Sequence, residues 1–172
     1  MVRGGLATSI VLAAAFSASA SAAPSTQARI CEAIASANHL KAASTCLQRS
    51  SDVVSFTVPA GAPAGFEATV AYSIVDTSAD AQAAWQEDDP GPGPETTLPN
   101  VGRIRSLPGA SYLYLASGQD DAEATTLVGT VIVDVVLVPT SGGGTTTLKP
   151  TVEALLGSAA ELVRSAESKA AA

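Results

Sequence analysis

The chain has 172 residues, 47% of them hydrophobic, 15% charged and 4% aromatic, with a formal charge of -7. That is enough for one domain core and short for two. The acidic balance excludes the basic face that nucleic acid or an anionic membrane surface requires.

Residues 1–22 read as a secretory signal peptide. Arg3 supplies the positive charge, Leu6 to Phe16 an apolar run of about a dozen residues, and Ala20-Ser21-Ala22 the small residues before a cut. The run falls short of the roughly 20 residues that span a bilayer. The first cysteine, Cys31, follows Arg29-Ile30 and lacks the small or aliphatic lead-in of a lipid-anchored cysteine. These features predict a secreted, extracellular protein that leaves the membrane after signal cleavage. Residues 23–169 form a single α+β domain in this reading, and 170–172 a frayed tail.

Export places the two cysteines in an oxidising compartment, where Cys31 and Cys46 form the obvious disulfide bond. A continuous helix would hold their Cα atoms roughly 22 Å apart, while a bridge needs less than about 7 Å. The chain must therefore break between them. Asn38-His39 is the expected break after a helix from about Gln27 to Ala37, because Asn tolerates the left-handed backbone that ends helices.

Val53–Val58 and Phe66–Val75 alternate with period two, as half-buried strands do, on either side of a Pro/Gly turn at residues 59–63. Thr77-Ser78-Ala79-Asp80 has the pattern of a capping box and starts a short helix to about Glu87, with Trp85 as a core plug. Residues 88–100 form a Pro/Gly-rich loop. Val101–Leu107 and Ser111–Ala116 follow as a hairpin turning at Pro108-Gly109. Residues 120–123 read as an acidic loop. Thr126–Val138 reads as the longest strand, with Leu127, Val131, Val133, Val135 and Leu137 on one aliphatic face. After a Gly/Thr loop, Pro150 suits the first turn of a closing amphipathic helix to about Ser168. The order is α-β-β-α-β-β-β-α. The economical arrangement is a single antiparallel sheet with helices packed on one face.

Few residues carry recognisable chemistry. There is no nucleophile elbow, zincin motif or phosphate-binding loop. The chain's one histidine, His39, sits at the helix break. The carboxylates of residues 87–89 and 120–123 lack calcium-loop spacing and read as solvated loops. No cofactor or metal is expected, and the chain does not read as an enzyme. If the aliphatic residues face the helices, Arg103, Arg105, Tyr112, Tyr114, Thr130 and Asp134 gather on the open face of the sheet. Tyr and Arg are residues that interfaces favour, so this face is the candidate ligand or partner surface. Cross-strand pairs that merely solvate a sheet are the alternative.

The Cys-bearing helix at Cys31 to Ala37, Trp85 ending the central helix, Leu107-Pro108-Gly109-Ala110-Ser111-Tyr112 before a strand, the long Val-rich strand and the final amphipathic helix together resemble a known family. It is the actinobacterial secreted and lipoprotein family of unknown function related to the extracellular sensor domain of a mycobacterial serine/threonine kinase. The resemblance covers about Ile30 to Ala166. Pro108 stands where a Gly is more usual, and the lipid-anchoring cysteine is missing. The resemblance implies an envelope or extracellular binding role and carries over no catalytic residue. The expected function is thus a secreted binding or sensor-like module for an unknown extracellular ligand or protein. The alternatives are a structural or assembly protein without a discrete site, and a secreted hydrolase with an unfamiliar one.

Overall fold

The computed structural model describes residues 24–46, 53–88, 101–104, 107, 111–115, 122–140 and 148–172, with the backbone alone at 87–88, 101–103 and 111–115. Among the described residues ten elements run in the order α1 (Thr26–Ala37), α2 (Ala42–Thr45), β1 (Val53–Ala60), β2 (Phe66–Val75), α3 (Ser78–Asp88), β3 (Val101–Arg103), β4 (Ser111–Leu115), β5 (Ala122–Val128), β6 (Val131–Pro139) and α4 (Leu148–Ala171). The class is α+β, as expected. One antiparallel sheet has the spatial order β1-β2-β6-β5-β4-β3. The expected signal peptide lies outside the described residues.

Ser25 caps α1 by accepting the amide hydrogen of Ala28 at 3.2 Å. The other end closes as a Schellman motif. The Leu40 amide bonds the Ala35 carbonyl at 2.9 Å and the His39 amide bonds that of Ser36 at 3.0 Å. His39 takes the left-handed conformation, with φ 59°. Asn38 is the C-cap, and its side-chain amide donates to the Ile34 carbonyl at 2.9 Å. The break thus falls where expected, one residue later than the Asn argument placed the left-handed turn. It brings Cys46 back to Cys31 in a disulfide with a Cα separation of 5.9 Å. Closing a loop of this length contributes on the order of 3 kcal/mol.

The stretch read as one strand from Thr126 to Val138 is two. β5 and β6 form a hairpin in which Val128 pairs with Val131 across Gly129-Thr130. Gly129 has φ 55° and Thr130 does not share a positive φ, the pattern of a two-residue turn that opens on glycine. Strand periodicity breaks there. Leu127 pairs with Ile132 and so lies on the opposite face from Val131 and Val133. Ala122 and Glu123, read as part of an acidic loop, belong to β5. In the first hairpin, β3 stops at Arg103, and Pro108-Gly109 lies outside the described residues.

Ala122, Ala124, Val131, Val133, Val135 and Leu137 are buried together with Val54, Val58, Val70, Tyr72 and Ile74 under α1 and α4. Alternation along each strand places them on one face. The α4 helix contributes Val152, Leu156, Ala159, Ala160, Val163 and Ala166 to this core. The α3 helix takes the other side. Trp85 and Ile132 are buried together there, with Ala84 and Leu127 packed against them. Two helices therefore share one face while α3 covers one end of the opposite face, because Leu127 and Ile132 give that end an apolar patch of its own. Trp85 is a core plug, as expected. The helix α3 is capped by Thr77, whose hydroxyl accepts the Asp80 amide at 3.1 Å. The expected frayed tail is also helical in part. The last helix runs to Ala171 and Ala170 is buried, because its methyl group continues the stripe of Val163 and Ala166.

Candidate functional site

Strand register decides which candidate residues can meet. Arg103 pairs with Tyr112, Tyr112 with Thr125, Thr125 with Asp134, Asp134 with Ala71, and Ala71 with Thr57. Directly opposed residues in an antiparallel pair share a face, so these six positions form one row across all six strands. The next row runs Val101, Tyr114, Glu123, Val136, Thr69 and Pro59. Both rows lie on the face opposite α1 and α4, since Val133 and Val135 flank Asp134 and are buried under the helices. The sheet thus brings positions 103, 112, 114 and 134 together. Asp134 is half-buried. Arg105 lies outside the described residues.

Thr130 does not join them. It sits in the β5–β6 turn, where its amide donates to Glu167 Oε1 at 2.8 Å and its hydroxyl approaches the same oxygen at 3.3 Å. Glu167 belongs to α4, so Thr130 is engaged on the helix side. The sequence reading missed this because it continued strand alternation through the turn.

A groove on the helix side escaped the sequence reading entirely. It measures about 250 Å³ and is lined by Asn38, Val58, Pro59, Ala60, Val70, Tyr72, Leu155, Ser158, Ala159 and Leu162. Three elements distant in sequence supply its polar atoms. Tyr72 is buried, with its ring centroid 5.4 Å from that of Phe56. Burial pushes the Tyr72 hydroxyl above its ordinary value of 10, and a hydrogen bond from the Asn38 side chain pulls it part of the way back. The Ser158 hydroxyl is turned onto its own helix, donating to the Ala154 carbonyl at 3.0 Å. The walls are otherwise aliphatic. This composition can hold a small apolar group but offers no acid, base or activated nucleophile.

Among the described residues no group of three or more His, Cys, Asp and Glu side chains is placed to hold a metal ion. His39 serves the C-terminus of α1. Both cysteines are consumed in the disulfide. No helix among the described residues is long and apolar enough to cross a membrane. No protein-family model matches the chain, and no curated protein or solved structure matches it either.

Proposed function

We propose that this protein is a secreted, extracellular binding or sensor-like module whose recognition surface is the sheet face opposite α1 and α4. The observation that carries the reading is the register row joining Arg103, Tyr112, Thr125 and Asp134. It places an arginine, a tyrosine, a threonine and an aspartate at successive register positions on a sheet scaffold, and Arg and Tyr are residue types that interfaces favour. The disulfide is compatible with an oxidising exterior. Membership of the sensor-domain-related family belongs to the same proposal. Binding without catalysis is the form of it that the donor set favours.

A second reading, an assembly protein without a discrete ligand site, is favoured by one observation. The edge strand β1 is long and uncharged.

The two readings separate in one experiment. Immobilised protein is exposed to culture medium and the retained molecules are identified by mass spectrometry, alongside Tyr112→Ala and Arg103→Ala variants. The binding reading expects one retained species, lost in both variants, with Tm within about 2 °C of the parent. Equal retention by both variants overturns the assignment of this face.

A further inference from the structure

We propose that β1 is a self-pairing edge, through which two copies of this chain join antiparallel into one continuous sheet about a two-fold axis at Phe56. The two edges of the sheet are unlike. The far edge is β3, three residues long, which is one way a protein blunts an edge. The near edge is β1, eight residues with the sequence VVSFTVPA and no charged side chain. Among the described residues no strand lies beyond it. Edges that must stay single usually carry lysine, an inward charge or a bulge. Here Pro59 near the C-terminal end is the one such device.

Two observations fix which backbone groups face outward. The Val75 amide bonds the Thr130 carbonyl at 2.9 Å, away from β1, and Val75 pairs with Val53. Pro59 pairs with Thr69 and has no amide hydrogen to give β2. Odd-numbered positions of β1 therefore turn their N–H and C=O groups away from β2. Ser55 and Thr57 are two of them, and both are exposed.

An antiparallel partner must match faces as well as hydrogen bonds. Centring the axis on Phe56 sets Phe56 against Phe56 of the second copy, Val54 against Val58, and Ser55 against Thr57. Apolar positions meet apolar ones on the helix side, and hydroxyls meet hydroxyls on the other. Ser55 and Thr57 exchange about four main-chain hydrogen bonds across the pair. Phe56 falls at a closely spaced position, where Cα atoms approach to about 4.5 Å, and its half-buried ring is covered. The register matches the strand's own sequence over Val54 to Val58, as an isologous contact demands, while Val53 falls opposite Pro59, which has no amide to donate, so the ladder is limited to the central residues. The charge pattern agrees. A chain of net charge -7 repels its own copy, and β1 is a neutral strip along which that repulsion is least direct.

The contact is small, so the dimer is weak and depends on concentration. Sedimentation equilibrium of the secreted protein at about 0.15 M salt tests it over roughly 1–500 μM. The parent protein is expected to pass from monomer to dimer in that range. The double variant Ser55→Lys with Thr57→Lys places like charges opposite one another twice and raises the dissociation constant at least about tenfold. Mixing it with the double variant Ser55→Glu with Thr57→Glu restores dimers that contain one copy of each. Both positions are exposed, so the fold is retained, which circular dichroism verifies. The variant Thr57→Pro, which removes one outward amide, is also expected to be monomeric. A parent protein that stays monomeric throughout, a lysine variant that dimerises like the parent, or a mixture that forms no mixed dimer overturns the proposal.

Discussion

The amide of Thr130 donates to Glu167 Oε1 at 2.8 Å across 37 residues of sequence. This bond clamps the β5–β6 turn to the last full turns of α4. A carboxylate there satisfies a turn amide that the two-residue loop leaves without a ladder partner. It also accounts for Gly129. A methyl group at that position would collide with the Glu167 carboxylate, and φ 55° is costly for any residue with a side chain.

Gly129→Ala is therefore expected to destabilise the fold by about 1–3 kcal/mol, part from the left-handed backbone and part from displacing the carboxylate. Glu167→Ala costs about 1–2 kcal/mol by leaving the Thr130 amide without its acceptor. The two changes disrupt the same contact, so the double variant loses less than their sum. Denaturant unfolding of the four proteins measures the coupling, and strict additivity refutes the clamp.

At the other end of the molecule, His39 holds the left-handed position that closes α1. Its amide and that of Leu40 complete the Schellman pair. A histidine there bears a steric cost that glycine avoids, and the backbone bonds do not depend on the imidazole. His39→Gly is expected to raise stability by about 0.5–1 kcal/mol, after the loss from greater freedom of the unfolded chain. Thermal unfolding with the disulfide intact reads the shift, and a lower Tm contradicts it.

Tyr72 supplies a pH dependence of definite sign. Its hydroxyl ionises above 10 in the folded protein, chiefly because burial disfavours the phenolate. The folded chain then holds a proton that the unfolded chain has released. The contribution of Tyr72 is fully present below pH 10 and is lost as pH rises through its raised folded value. Among three tyrosines, at least one should titrate late in an ultraviolet absorbance titration. Tyr72→Phe should flatten the alkaline fall in stability, and an unchanged slope assigns that fall to other groups.

Most local structure was legible before any fold was known. Period-two alternation identified β1 and β2, Thr77 and Asp80 marked the start of α3, and the paired cysteines required a break near Asn38. Each of these is a short-range constraint, in which one residue's chemistry limits its neighbours. The candidate face was legible in part, since alternation alone separates positions 112 and 114 from 113 and 115. Gly129 was misread because Val128 and Val131 continue an apolar run on both sides of it, and a lone glycine within such a run marks a turn as readily as a weak strand residue.

Tertiary structure decided the rest. That β2 pairs with β6, and β4 with β5, sets Arg103, Tyr112, Thr125 and Asp134 in one row. No local pattern contains this, because pairing partners are chosen by how all strands bury their apolar faces together. The placement of α3 against Leu127 and Ile132 depends on a face that exists only once β5 and β6 have paired. The capture of Thr130 by Glu167 likewise needs a turn and a helix brought together by the core between them. Sequence by itself determined most of the elements and the burial polarity of strands such as β1 and β2, which follow from short-range patterns. Only the closed sheet determined which side chains meet, because that depends on contacts between segments far apart in the chain.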